Sequence, residues 1–289
     1  MSSFLDRLAD GRVLLTDGAT GTNFQQMGLP PGVSPEEWVF DVPERVRELQ
    51  ARFVRAGSEF ALTCSFGANP VRLADGPLAG RVRELNIRAV ELAREVVGAD
   101  GLVGGSIGPT GQLVEPYGPL TRERCQAAYA EQAQALVEGG VDVLVLETFF
   151  ALEEALWAVD GIRGVSELPL IVSFSFDQGT RTMMGVSPAD VAGAFEPLGV
   201  AAIGANCGRS LEDNDTVVDE FLRATNVPVW VKPNAGIPQV IGDSVVYEAD
   251  PATLAAHVAD YARRGVRIVG GCCGTTPEHV AAIARALGR

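Results

Sequence analysis

Long hydrophobic runs are missing from this 289-residue sequence. Its opening stretch, "MSSFLDRLADGRVLLTDG", breaks up its apolar residues with Asp6, Arg7, Asp10 and Arg12. It therefore has neither the core of a signal peptide nor the length of a membrane span, and the expectation is a cytoplasmic chain with no membrane partner. Positive charge is also scarce: 23 Lys plus Arg stand against 37 Asp plus Glu, a formal charge of -14. Such a surface does not condense on phosphate backbones or anionic lipid, which argues against nucleic acid as a partner. Histidine is scarcer still, with two residues. His257 and His279 both fall in helix-like stretches and read as surface or packing residues rather than ligands or bases. Cysteine is few and odd in number: five residues without an export signal favour reduced thiols or metal ligands over a disulfide framework. Pro/Ser-rich linkers, low-complexity tracts and abrupt composition shifts are absent, so a single domain, residues 1–289, accounts for the chain.

What is plentiful is apolar residue, 47% of the chain, arranged in short runs. Eight of them are rich in β-branched and apolar types: "RVLLTDG", "EFALTCSF", "LVGGSIGP", "VDVLVLETF", "PLIVSFSF", "VAAIGANC", "PVWVKPN" and "VRIVGGCC". Each is followed by a turn and then a stretch of helical periodicity: 43–56, 78–97, 121–138, 152–162, 188–197, 213–224, 251–263 and 277–287. Strand and helix alternating eight times, with strands apolar enough for burial on both faces, predict a (β/α)₈ TIM barrel. A doubly wound open sheet is the alternative, because alternation alone does not prove closure. In a barrel the functional residues gather at the C-terminal strand ends. The polar residues fall there: Asp17, Thr63 to Ser65, Glu147, Ser175, Asn206, Cys207, Lys232, Asn234, Cys272 and Cys273.

Adjacent residues of a regular strand face opposite ways, so Cys272 and Cys273 share a ligand only where the strand has ended. Gly270, Gly271 and Gly274 supply the needed freedom. Barrel closure brings the sixth strand near the eighth and makes Cys207 a third thiolate. Three thiolates suit Zn2+ and leave one tetrahedral position open. The tandem pair alone also reads as buried small residues; a vicinal disulfide would be strained and would leave Cys207 without a role. An open zinc position of this kind suits activation of a substrate thiol better than hydrolysis. A free thiol with a pKa of ~8.5 is only a few per cent ionised at pH 7, so full deprotonation recovers on the order of 2 kcal/mol. "LLTDGATGT" adds Asp17 and a donor-rich turn through Gly18 and Ala19, and Glu147 emerges from a strongly apolar strand. Together these suit a zwitterionic amino acid with its ammonium near Asp17 and Glu147. The plainer reading makes Asp17 a turn cap and pairs Glu147 with a Lys or Arg.

The motifs "TDGATGT", "SFGAN", "GSIGPTG", "LETF", "GANCG" and "GGCCGTTPEH", in this order over nearly the whole chain, resemble the zinc-dependent homocysteine S-methyltransferases. "SIGPTG" and "KPNAGIP" look most like the homocysteine-binding module of cobalamin-dependent methionine synthase. The resemblance implies zinc on Cys207, Cys272 and Cys273, with homocysteine sulfur completing the tetrahedron. It implies that Asp17, Gly18, Ala19 and Glu147 hold the amino-acid end, and that Asn234 takes the fourth position without substrate. The expected product is methionine. The expected donor is a methyl-corrinoid protein, with S-methylmethionine, S-adenosylmethionine or betaine as alternatives. A methyltransferase acting on another thiol and a non-catalytic zinc-bearing, amino-acid-binding barrel are the rival readings. Two departures stand out. Cys64 in "TCSF" replaces the asparagine of the family's T-N-T-F, and the chain stops after the homocysteine module, so folate- or corrinoid-binding modules are expected on separate polypeptides. Cys125, in a helical stretch, reads as structural.

Overall fold

The computed structural model describes residues 3–241 and 244–289. Its strands are β1 (Leu14–Leu15), β2 (Phe60–Leu62), β3 (Leu102–Ile107), β4 (Val143–Phe149), β5 (Leu170–Phe174), β6 (Ala202–Cys207), β7 (Val229–Pro233), β8 (Pro238–Ile241), β9 (Ser244–Tyr247) and β10 (Ile268–Val269). All except β8 and β9 pair in one parallel sheet, in the order β1-β10-β7-β6-β5-β4-β3-β2. A parallel bridge between Thr16 and Phe60 brings the two edges together. The sheet therefore curls into a (β/α)₈ barrel, and the open doubly wound alternative is set aside.

The uninterrupted apolar runs are explained by burial on both faces. Along β4, Val143 and Val145 point into the barrel with Leu62, Leu102, Ile171 and Trp230. Leu144 and Leu146, one step out of phase, pack outward against the helices. The eight anticipated helices are present, for example Arg122–Gly139, Leu152–Arg163 and Pro277–Ala286. The segment expected to start at 78 begins its helix at Val82, because Gly80 takes a left-handed φ of +74° and breaks the periodicity.

Several short elements lie outside the eightfold reading, among them a helix at one end of the barrel and a hairpin at the other. A short helix, Phe4–Ala9, is capped by Ser3 and closes the N-terminal end of the barrel. Its Phe4 ring meets Phe60 edge-on at 6.0 Å, and Phe60 meets Trp230 at 5.9 Å. The antiparallel hairpin β8–β9 follows β7 on the opposite, C-terminal side. Among the described residues, no helix is long and apolar enough to cross a membrane.

Candidate active site

The strand ends converge on a cavity of about 680 Å³ at the C-terminal mouth. Both tandem cysteines lie past the end of β10, where the chain enters a turn closed by the Thr275 amide and hydroxyl donating to the Cys272 carbonyl, at 3.1 and 2.6 Å. Irregular backbone there lets Cys272 and Cys273 face the same side. Gly274 has a φ of +79°, and a Cβ on it would sit 2.2 Å from the Tyr247 ring of the hairpin, so only glycine fits under β9. Cys207 arrives from the end of β6, itself at a positive φ of 60°. The three sulfurs lie within 4.8 Å of one another, and Cys207 Sγ is 2.8 Å from Cys272 Sγ. All five cysteines are free thiols. Hydrogen bonds from Cys207 and Cys272 hold the Cys273 thiol down to about 3, while the same contacts push Cys207 up.

Two asparagines lie close to this cluster in the chain fold. Asn234 donates Nδ2 to the Gly208 carbonyl at 2.8 Å, and its buried Oδ1 has no hydrogen-bond partner among the described residues. Three sulfurs that meet at one point are a donor set that suits zinc. Asn206 donates Nδ2 to Thr148 Oγ1 at 2.7 Å and reaches Cys207 Sγ at 3.5 Å and Cys272 Sγ at 3.7 Å. Its Oδ1 accepts from the Thr148 amide at 2.8 Å and from Ser173 Oγ at 2.6 Å. This clamp holds Thr148 at a φ of 66°, which a β-branched residue rarely adopts, at a cost of about 1–3 kcal/mol. Sequence reading places Asn206 at a strand end but gives it no role. Its contacts to two sulfurs depend on a neighbouring strand.

The other half of the site holds opposite charges. Asp17 is buried with both oxygens engaged: Oδ1 takes Lys232 Nζ at 2.6 Å and Oδ2 takes the Leu62 amide at 2.8 Å. Lys232 lines the cavity and Asp17 does not. Burial lowers the Lys232 ammonium and the Asp17 and Glu147 carboxylates raise it more, so it stays charged. Glu147 lines the cavity and accepts from the Ser106 hydroxyl. Burial pushes its carboxyl up to about 7, against the opposing pull of Lys232 and Ser106. Gly18 and Ala19 line the wall beside them; the Ala19 amide already donates to Thr275 Oγ1 at 3.0 Å. A Cβ on Gly18 would stand 2.7 Å from the Phe53 ring, which fixes glycine there.

Cys64 faces the cavity, donates to the Pro35 carbonyl at 3.4 Å, and is pushed up by burial and then by Glu36. Glu36, unremarked in the sequence, is buried and accepts the Gly67 amide at 2.6 Å. Cys125 is buried under the Glu154 carbonyl, away from the mouth. Neither histidine lines the cavity: His257 pairs with Asp215 at 2.9 Å and His279 reaches the Ala249 carbonyl at 3.0 Å.

A family model described as homocysteine S-methyltransferase matches residues 14–287. The chain belongs to the homocysteine S-methyltransferase family. Within that family it is similar to the curated methionine synthases of Mycobacterium leprae, at 31% identity, and Mycobacterium tuberculosis, at 30%. The matches cover 100% and 99% of this chain but 25% of each relative, so the chain spans about a quarter of their length. Among solved structures it resembles the homocysteine methyltransferase MmuM from Escherichia coli in its metallated form. That match has a TM-score of 0.82 and 27% identity, covering 96% of this chain and 98% of that one. A methyltransferase from Methanosarcina mazei, at 12% identity and a TM-score of 0.61, shares the fold.

Proposed function

We propose that the chain transfers a methyl group to the sulfur of L-homocysteine, giving methionine, with zinc on Cys207, Cys272 and Cys273. The observation that carries this reading is the meeting of three free sulfurs from two strand ends. When bound, zinc supplies a Lewis acid that keeps a substrate thiol ionised near pH 7. The protein's own residues do the rest. Asn206 steadies two of the sulfurs by donating to them, and Asn234, following the family resemblance, is the internal group proposed for the fourth position when substrate is absent. Glu147 takes the substrate ammonium, with Asp17 adding its negative charge from just behind the wall, and Gly18 and Ala19 form the wall against which the amino-acid end lies. The cavity volume falls in the range that encloses a drug-sized ligand. A small amino acid therefore leaves room for the methyl-bearing end of a donor. Metal analysis with an assay of methionine formation tests the reading, and undiminished turnover by the metal-free protein would refute it.

Loss of the Asn206 side chain tests the support of the sulfurs. Asn206→Ala is expected to weaken zinc binding by about 10- to 100-fold, the usual effect of removing a group that orients ligands. Competition with a chromophoric chelator measures it. Affinity equal to that of the unaltered protein would remove Asn206 from this role.

Glu147 predicts a pH dependence. Its carboxyl is about half ionised near pH 7 in the empty site, and only the ionised form attracts an ammonium. Homocysteine binding is therefore expected to strengthen from pH 6 to pH 8, with proton release at the lower end. The thiol's own ionisation contributes equally to 4-mercaptobutanoate, which lacks the ammonium, so the difference between the two profiles isolates Glu147. In the free protein a raised carboxyl means the folded state binds more protons than the unfolded one between pH 4.5 and about 7. Glu147 therefore lowers stability as pH rises through that window.

For the donor, the resemblance of "SIGPTG" and "KPNAGIP" to the homocysteine module of cobalamin-dependent methionine synthase, together with the methionine synthase relatives of which this chain spans a quarter, favours a methyl-corrinoid protein. A small sulfonium is the second reading, favoured by near-complete mutual coverage with the E. coli homocysteine methyltransferase. Methionine formation with S-methylmethionine, S-adenosylmethionine, betaine and a methylated corrinoid protein, each tried alone, separates them. Turnover on the corrinoid protein only would support the first reading, and turnover on a small sulfonium without it the second.

A further inference from the structure

The hairpin β8–β9 has no place in the eightfold repeat, and among the described residues its strands pair only with each other. It is nevertheless fastened to the cysteine end of the barrel. At its root the Ala235 amide donates to the Cys273 carbonyl at 2.9 Å, and the Ala249 amide closes the root by donating to the Ala235 carbonyl at 3.0 Å. Tyr247 of β9 stands opposite Pro238 of β8 in register, and its ring lies over Gly274, the residue after the tandem cysteines. Tyr247 is half-buried while its neighbours Val245 and Val246 are exposed, so the ring is the part of β9 that turns toward the barrel. Packing on a glycine needs only an aromatic face, which a phenylalanine would supply. The hydroxyl is left over by that role. It faces the cysteine cluster, and after Cys207 and Cys272 it adds a hydrogen bond that helps to hold the Cys273 thiol low.

Zinc changes what the three sulfurs receive. In the metal-free cluster Cys207 and Cys272 donate their thiol protons to Cys273, and metal binding requires those protons to leave. Asn206 Nδ2 still reaches Cys207 Sγ at 3.5 Å and Cys272 Sγ at 3.7 Å, but it makes no such contact with Cys273. A phenol is protonated at neutral pH and can donate to a thiolate. We propose that the Tyr247 hydroxyl donates to Cys273 Sγ in the zinc-loaded protein and fixes that sulfur, so that the hairpin is an outer brace of the metal site. This role rests on the reading of Cys207, Cys272 and Cys273 as zinc ligands and extends it to an element outside the barrel. Tyr247 does not line the cavity, so it is a positioning residue that touches neither substrate nor methyl group.

The test compares the full chain with Tyr247→Phe, which keeps the ring over Gly274 and removes the donor. Zinc affinity, read by competition with a chromophoric chelator, is expected to fall about 10-fold, the lower end of the effect of losing a group that orients a ligand. In the Co2+-loaded proteins the sulfur-to-metal charge-transfer band is expected to move to lower energy in the variant, because a sulfur relieved of a hydrogen bond gives up electron density more readily. Thermal unfolding of the two metal-free proteins should coincide. Asn206→Ala acts on the other two sulfurs, so its loss of affinity should multiply with that of Tyr247→Phe in the double variant. Either readout left unchanged by Tyr247→Phe would overturn the proposal, as would a loss of metal-free stability that matches the loss of affinity. A parent protein that binds neither Zn2+ nor Co2+ would sink the zinc reading and the brace with it. A parent that binds both, matched by its variant, would sink the brace alone.

Discussion

Alanine at Cys207, Cys272 or Cys273 is expected to strip the protein of stoichiometric zinc and to lower methyl transfer to homocysteine on the order of 1,000-fold. Two losses combine in that figure. A thiol free in water is mostly protonated at neutral pH, and a sulfur no longer anchored must find the methyl group by diffusion rather than from a fixed position. The three variants should resemble one another, because two remaining sulfurs and a distant side chain do not make a closed zinc site. Thermal unfolding should match that of the metal-free parent, since the sulfurs lie beyond the ends of β6 and β10 and not within the barrel packing. Elemental analysis and a homocysteine methylation assay on the same preparations settle the matter. Retained zinc and normal turnover in any one variant would remove that cysteine from the ligand set.

The second large effect concerns stability. The Asp17–Lys232 pair is a 2.6 Å contact between side chains that are 5% and 3% exposed. Replacing Asp17 by alanine leaves a buried ammonium without its counter-ion and is expected to cost about 3–5 kcal/mol. Lys232→Met alone strands the carboxylate and should cost a similar amount. The double variant is expected to recover most of the loss, because a well-packed apolar replacement of a buried pair is often neutral. Urea unfolding of the four proteins in the cycle measures the coupling. Additive single effects would mean that the two charges do not support each other in the folded state.

Much of the barrel can be read from residue types alone, because β3 to β7 are covered on both faces and carry largely apolar runs with polar residues at or near the end. The hairpin β8–β9 escapes that reading. Its residues Val245 and Val246 are about half exposed, so apolar side chains do not mark a buried strand there. In the site, the cysteines stand out because the glycines around 270–274 announce a chain leaving its strand. Glu36 does not stand out: in "SPEEW" it looks like an exposed helix start, and its burial depends on the Gly67 amide far along the chain. Thr148 gives no local sign of its left-handed backbone, which Asn206 on another strand imposes. Lys232 reads as a strand-end cation, and it is also the only lysine in a sequence of arginines, a signal that lies in composition rather than in any motif.

That solitude has an experimental use. Apart from the α-amino group, an acylating reagent selective for amines finds a single nitrogen to attack in the native molecule, and the barrel shields it. The rate of modification at Lys232 then reports how often the amine gives up its proton and its hold on Asp17 while reagent is in the mouth, a built-in gauge that needs no engineered label, and one that a tightly held amino acid should slow.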